Sequence, residues 1–173
     1  MIITDEKLLR VKCEDVLPNE VGALIDQLER ELKHSAEMGR AGIGLAAPQI
    51  GINKNIAIVR INNKYNINLV NCKIAQKFDP EIFEEEGCLS FPGTFVKSLR
   101  YKEIYVVENM DDKKEFIAQG LVAVVVQHEL DHLNSRLLPD IAIKETIKKS
   151  KTRPNDPCSC GSGKKAKKCC YKE

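Results

Sequence analysis

Two of the chain's three histidines lie four residues apart, within residues 127–132. The stretch reads Gln-His-Glu-Leu-Asp-His, so that Glu129 directly follows His128. If this stretch is helical, His128 and His132 lie on one face, one turn apart, and both imidazoles can bind one metal ion. Glu129 then lies beside the metal, where it can take a proton from a bound water. The pattern therefore predicts a metal site on a helix.

The six residues before this motif, 121–126, are all apolar, which predicts that the element is buried. Buried histidines need polar or metal partners, so the pattern disfavours a solvent-exposed helix whose histidines bind nothing. The β-branched residues are also typical of a strand. A strand would separate His128 and His132 by roughly 13 Å, at about 3.3 Å per residue, which is too far to bind one ion. We therefore predict a buried helix.

The size and composition of the chain indicate one ordinary core with a small addition. The chain has 173 residues, of which 43% are hydrophobic. It has no apolar run of the length that a membrane span needs. The first seven residues already contain two acids and lead into no apolar segment, so they do not resemble a signal peptide. We expect a cytoplasmic protein.

Charge and cysteine are both concentrated near the C-terminus. Residues 144–173 contain ten Lys or Arg and three acids, which gives a net charge of +7. Residues 1–143 contain 17 Lys or Arg and 22 acids, which gives a net charge of −5. Four of the seven cysteines also lie in this tail. Such asymmetry indicates a tail that meets an acidic partner such as nucleic acid; the alternative is a solvated tail that only aids solubility.

Elsewhere the sequence predicts both helices and strands. Apolar residues with helical spacing follow Pro18, from Val21 to Leu32. Strands are predicted where apolar residues alternate or run continuously: 55–61, 65–70, 104–107 and 116–118, the last two as a hairpin. Residues 141–149 are predicted to form a short helix at most.

Two stretches upstream of the histidine helix hold candidate polar groups. Gln49 lies among small and apolar residues, where a buried amide needs a partner such as a substrate; taken alone, this stretch is more often a tight structural loop. Cys88 lies in a turn-like stretch between Gly87 and Pro92, where a thiol can bind a metal, although a lone cysteine rarely does. A catalytic site needs a third protein ligand and leaves a fourth position open for water, and Cys88 is an upstream candidate.

Together, residues 42–49, 86–90 and 127–132 resemble the three motifs of bacterial-type peptide deformylases, in the family's order and spacing. The likeness runs from about Thr4 to Asp140. It implies an α+β fold with small antiparallel sheets around a central metal-bearing helix. It also implies the reaction, which is hydrolysis of the N-formyl group from the formylmethionine that starts a new polypeptide, with release of formate.

The resemblance also implies roles for individual residues. The implied metal ligands are Cys88, His128 and His132. The implied catalytic groups are Glu129 as general base and acid, with Gln49 and the Leu89 backbone N–H at the oxyanion. Gly44 would hydrogen-bond the peptide backbone, and residues at or near the methionine pocket would be Ile43, Glu86, Leu121 and Val124. Many members use iron(II), while zinc or nickel can occupy the site; a thiolate with two imidazoles suits iron or zinc.

The chain departs from the family's pattern at positions outside this ligand set. Cys72 and Tyr101 stand where proline is common in the family. Ser135 and Leu138 replace a usual glycine and phenylalanine. These differences concern the shape of the pocket rather than the reaction.

The tail carries a second motif, which resembles the zinc-binding SEC-C motif at the end of the SecA translocation ATPase. Two close cysteine pairs around a glycine-bearing turn suit a tetrahedral structural zinc bound by Cys158, Cys160, Cys169 and Cys170. With almost no apolar residues, the tail would take its folding energy from the metal, on the order of 10 kcal/mol. We predict a catalytic domain at 1–149, a linker at 150–157 and the zinc tail at 158–173.

The sequence alone is compatible with several functions of the tail and of the main domain. The tail docks the enzyme on an acidic partner such as ribosomal RNA near emerging chains, or it is only a stability cap or a flexible tail. The body is a deformylase, or another metal amidase or protease, which would cleave internal or unformylated peptides. The third alternative is a catalytically inactive binding module, which the full set of catalytic residues argues against.

Overall fold

The computed structural model describes residues 1–62, 64–108, 114–143, 148–149 and 164–165. The helices within these residues are α1 (Glu6–Leu9), α2 (Val21–Glu37), α3 (Gly120–Leu133) and α4 (Leu138–Ile141), and a single 3-10 turn spans Ala47–Ile50. The strands are β1 (Gly44–Ala46), β2 (Ile56–Ile61), β3 (Tyr65–Val70), β4 (Cys72–Gly87), β5 (Thr94–Glu108), β6 (Glu115–Gln119) and β7 (Lys148–Lys149). The predicted linker and the four tail cysteines lie outside the described residues.

The strands form two antiparallel sheets, which confirms the predicted α+β class. The first sheet has the order β1-β2-β3, and the second has β4-β5-β6. The short β7 also pairs with β5. Because Phe95 pairs with both β4 and β7, these two strands lie on opposite edges of β5.

The helix α3 is the centre of the larger core. Its apolar side chains pack between the two sheets, against Ala57 and Val59 of β2 on one side and Ile104 and Val106 of β5 on the other. The helix is therefore buried almost all round, as its continuous apolar run predicts. The prediction of a helix instead of a strand over the histidine motif is confirmed.

A second core lies on the other face of the first sheet, under α2. Leu28 and Leu32 of α2 pack in one cluster with Ile56 and Ile58 of β2. Alternate residues of β2 thus enter different cores, and both of its faces are buried. This explains why β2 reads as a continuous apolar run instead of an alternating one.

The long hairpin of β4 and β5 is the main feature that sequence patterns did not predict. Only 104–107 was predicted from its 15-residue second strand, and β4 was not predicted at all. Most β4 side chains are exposed, and its register with β5 shifts between Ile74 and Gln76 and again between Phe83 and Glu86. Such shifts interrupt the alternation of side chains on which strand prediction depends.

The segment after α3 also differs from its prediction. Residues 141–149 were expected to form a short helix at most, but the helical turn ends at Ile141. Ala142 then forms an isolated bridge to Ser98, and Lys148–Lys149 is a strand. No helix within the described residues is long and apolar enough to cross a membrane.

The packing of α3 against β5 can be tested with two matched isoleucines on paired strands. Ile104 is fully buried, whereas Ile117 of β6 is 61% exposed. We expect Ile104→Ala to lower the free energy of unfolding by about 2–5 kcal/mol, because it leaves a cavity beside α3. Ile117→Ala should lower the free energy of unfolding by less than about 1 kcal/mol. Urea unfolding measures both, and equal losses would contradict the proposed position of the core.

Candidate metal and substrate site

Three donor groups meet at the C-terminal half of α3. The ligand atoms of Cys88, His128 and His132 all lie within 4.8 Å of one another. The Sγ atom of Cys88 lies 3.2 Å from Nε2 of His132. The helix supplies both histidines from successive turns, and the turn after β4 supplies the cysteine, whose carbonyl accepts a hydrogen bond from Phe91 N. A thiolate with two imidazoles is a donor set that suits zinc or iron(II), so these residues fit the metal that the sequence predicts.

Glu86 holds the first histidine from behind. Nδ1 of His128 lies 2.6 Å from Oε1 of Glu86, which leaves Nε2 of the imidazole for a metal. Histidine ligands commonly donate their other ring N–H to a carboxylate in this way, which fixes the ring and its tautomer. The family resemblance implies that Glu86 lies at or near the methionine pocket. Its side chain borders the cavity as well, but its carboxylate is engaged in orienting His128.

A buried ionic network keeps the Glu86 carboxylate charged. Arg100 donates to both of its oxygens, at 2.8 Å from Nε and 2.5 Å from Nη2, and its Nη1 donates to Asp131 at 2.6 Å. The Ser98 hydroxyl also donates to Glu86. Burial alone would raise the pKa of Glu86, but Arg100 and His128 outweigh it and bring the pKa to about 2. Sequence patterns missed Arg100, Ser98 and Asp131 because no local motif marks a buried ion pair.

Glu129 occupies the floor of the site. Its side chain is buried, and within the described residues its Oε2 atom has no hydrogen-bond partner. Burial raises the pKa of this carboxyl to about 7, although the charge of His128 opposes the shift. Gly44 lies directly against it, since a Cβ there would collide with Oε1 of Glu129. The glycine thus lets β1 approach the acid closely.

Gln49 is buried, and its amide is held in one orientation. Its Oε1 accepts a hydrogen bond from Ala46 N at 2.9 Å. Its Nε2 donates to Ser90 Oγ at 3.2 Å and lies 3.6 Å from the sulfur of Cys88. Protein groups therefore supply part of the hydrogen bonding that the buried Gln49 amide requires. Its Nε2 donor points to the metal-ligand cluster. Ser90 was not predicted as a site residue.

A cavity of about 640 Å³ opens over this cluster. The predicted oxyanion and substrate residues all border it, together with two ligands and the acid: Ile43, Gly44, Gln49, Glu86, Cys88, Leu89, Leu121, Val124, His128 and Glu129. The structure thus brings together residues that are far apart in the sequence. Other bordering residues were not predicted, among them Arg40, Phe83, Glu85 and Phe95.

Comparison with protein families agrees with this arrangement. The model of the polypeptide deformylase family matches residues 1–148, which include the whole cluster. The chain belongs to the polypeptide deformylase family. The peptide deformylase of Dictyoglomus thermophilum is 34% identical over 145 residues, which are 83% of this chain and 92% of that protein. That of Thermodesulfovibrio yellowstonii is 38% identical, over 78% of this chain and 83% of the relative.

Solved structures of this family have the same fold. The peptide deformylase of Thermotoga maritima matches with a TM-score of 0.71 and 32% identity, over 82% of this chain and 96% of that one. The Synechococcus elongatus enzyme in complex with actinonin also has a TM-score of 0.71, with 33% identity over 82% of this chain and 77% of that one. A separate SEC-C motif model matches residues 155–172.

Family membership establishes the reaction. The protein is a hydrolase that removes the N-formyl group from newly made polypeptides, and the family depends on a metal. The predicted family and activity are therefore confirmed, while the roles of individual residues stay predictions.

The role of Glu86 behind His128 can be tested through metal affinity. We expect Glu86→Gln to weaken binding of a divalent metal by about 10- to 100-fold, because the neutral amide orients the imidazole less strongly. Glu84→Gln is the matched control, since Glu84 lies on the same strand in an exposed ion pair with Lys97. Chelator competition measures the affinity, after circular dichroism has verified folding. A folded Glu86→Gln protein with unchanged affinity would contradict the role.

Proposed function

We propose that Cys88, His128 and His132 hold the catalytic metal and that the surrounding residues carry out deformylation. The observation that supports this proposal is the close cluster of three ligands beside a buried acid at the floor of the cavity. A divalent metal bound there would lower the pKa of a coordinated water to roughly 7 and polarise a carbonyl. We propose iron(II) as the native metal, with zinc or nickel as alternatives that the same donors accept.

Glu129 is the proton carrier in this proposal. Its unpartnered Oε2 accepts a proton from the attacking water, and the carboxyl then gives a proton to the amine that leaves the formyl carbon. A general acid–base group acts best when its pKa lies near the working pH, and burial moves the pKa of this carboxyl in that direction. Its burial also keeps bulk water from competing for the proton.

Gln49 and the backbone N–H of Leu89 stabilise the developing negative charge on the formyl oxygen. The hydrogen bond from Ala46 N fixes the Gln49 amide, so that its Nε2 donor faces the site before substrate arrives. A donor that is already oriented costs no reorganisation when the charge develops. Loss of one such donor typically lowers the rate by about 10²–10³-fold.

The substrate enters as an extended peptide along β1. In this proposal Gly44 hydrogen-bonds its backbone, because β1 ends the order β1-β2-β3 and borders the cavity. The methionine side chain lies among apolar groups at the other wall, with Ile43, Leu121 and Val124 around it and Glu86 nearby. Ile43 and Leu121 are partly exposed at the mouth, where they can close over an apolar side chain.

Formate release distinguishes this function from the alternatives. With iron(II) protein prepared anaerobically, we expect formate from a formyl-Met tripeptide and no cleavage of acetyl-Met or unblocked peptides. Cleavage of an internal or unblocked peptide would favour a metalloprotease. A fully metal-loaded protein that released no formate would contradict the proposed roles of these residues.

The role of Glu129 gives a second test. Glu129→Ala should retain the metal but lose turnover by at least about 10²-fold, since general acid–base catalysis contributes about 10²–10⁴-fold. The exposed Glu115 of β6 provides the control Glu115→Ala. Metal content and formate release are measured on the same samples. Normal turnover in Glu129→Ala would refute its role as the base.

We further propose that the tail binds a structural zinc through Cys158, Cys160, Cys169 and Cys170 and docks the enzyme on ribosomal RNA in the cytoplasm. The domain division is then 1–149, 150–157 and 158–173. The SEC-C match and the net charge, near +5 with zinc and four thiolates counted, support this proposal.

Cosedimentation with ribosomes tests the docking. We expect the full chain to bind, with affinity that falls steeply as salt rises, because lysines release counterions from RNA phosphates. Deletion of residues 150–173 should abolish binding and leave formate release from a short peptide intact. Zinc analysis of both proteins tests the metal. Ribosome binding that survives the deletion would refute the docking role of the tail.

A further inference from the structure

Arg40 lies in the wall of the substrate cavity with an incompletely satisfied side chain. Within the part of the chain that the structure describes, its Nε atom is buried without a hydrogen-bond partner, and its guanidinium forms no ion pair. By contrast, Arg60 and Arg100 bond carboxylates. Because no carboxylate of the described residues neutralises its charge, the guanidinium of Arg40 keeps its ion-pairing capacity for a ligand that enters the cavity.

The backbone of Arg40 is fixed, so its side chain has a defined origin. Its N–H donates to the carbonyl of Ser35 at 2.9 Å, and its own carbonyl accepts from the Ser35 hydroxyl at 2.8 Å. Ser35 is buried near the C-terminal end of α2. Two hydrogen bonds to a buried helical residue make this a rigid position instead of a mobile loop tip, which favours a specific contact.

Arg40 lies far enough from the formyl end of a bound peptide to contact the residues that follow the methionine. Gly44 lies against Glu129 and so marks the formyl end. Arg40 lies four positions before Gly44, so their Cα atoms are at most about 13 Å apart at about 3.3 Å per residue. An extended peptide covers this distance in about four residues. Arg40 can therefore meet the second to fourth residues of the polypeptide, beyond the methionine.

We propose that Arg40 selects polypeptides with an acidic side chain at the second, third or fourth residue. This inference rests on the proposed function, because it requires the peptide to lie along β1. The guanidinium would hydrogen-bond the carboxylate of the substrate and repel a lysine at the same place. Glu85, which is exposed on the β4 side of the same cavity, carries the opposite charge, so the preference depends on the position of the acid.

The test compares formyl-Met peptides that differ in one charge. Glu, Gln or Lys is placed in turn at the second, third or fourth residue, and the C-terminus is amidated to remove its carboxylate. We expect kcat/KM for Glu to exceed that for Lys by about two- to fivefold at one position or more, the size of a partly exposed ion pair. Added salt should shrink the ratio.

Variants of Arg40 separate charge selection from other roles. The Glu/Lys ratio should fall to about one in Arg40→Gln, persist in Arg40→Lys and invert in Arg40→Glu. The matched control is Arg30→Gln, which removes the same charge from an exposed position of α2 outside the cavity and should keep the wild-type ratio. Thermal unfolding verifies that each variant is folded.

Three results would overturn the inference, and one would instead concern the proposed function. A Glu/Lys ratio near one at all three positions in the wild type shows that the enzyme does not select charge there. An unchanged ratio in Arg40→Gln, including one in which all three peptides lose activity equally, assigns the residue to the peptide backbone or to the fold. The same loss of ratio in Arg30→Gln shows that the effect is not specific to Arg40. Absence of formate from every peptide with the metal-loaded wild type contradicts the proposed function itself.

Discussion

The burial of α3 between two sheets is the constraint on which the rest of the structure depends. Its apolar residues require sheets on both sides, but its last two turns carry polar groups into the same core. Each of these groups then needs a partner. Gln127 accepts from Tyr101 N at 3.1 Å and donates to Tyr101 O at 2.9 Å, and His128 pairs with Glu86. The long β4–β5 hairpin supplies these partners.

The ionic network between this hairpin and α3 shows why the partners come as a set. The buried carboxylate of Glu86, behind His128, needs a cation, which Arg100 supplies. Arg100 also forms an ion pair with Asp131 of α3. Asp131 in turn pairs with the exposed Arg136. Removing one member would leave a buried charge unpaired, which typically costs about 3–5 kcal/mol. The network therefore couples the orientation of the metal ligand His128 to the packing of β5 on α3.

How much the sequence predicts depends on whether the signal is local. The spacing of His128 and His132 indicates a helix because both residues belong to one periodic element. The pairing of Glu86 with Arg100 joins positions 14 residues apart across a hairpin with two register shifts, and no periodicity reports it. Ser135 illustrates a tolerated departure. It adopts φ 59°, which favours the family's usual glycine, but its hydroxyl donates to the carbonyl of Val11, a contact that glycine cannot make.

Two arginines, Arg40 in the wall of the cavity and Arg100 in the ionic network with Glu86, show how the same side chain can serve structure or recognition. Arg100 donates hydrogen bonds to two acids, the buried Glu86 and the partly buried Asp131, so it has little capacity left for a ligand. Arg40 has a fixed backbone but a buried donor without a partner among the described residues. A protein that needed Arg40 only for packing could use an apolar side chain at lower desolvation cost. A substrate carboxylate at the cavity wall would supply the ion-pair partner that the described residues do not give Arg40.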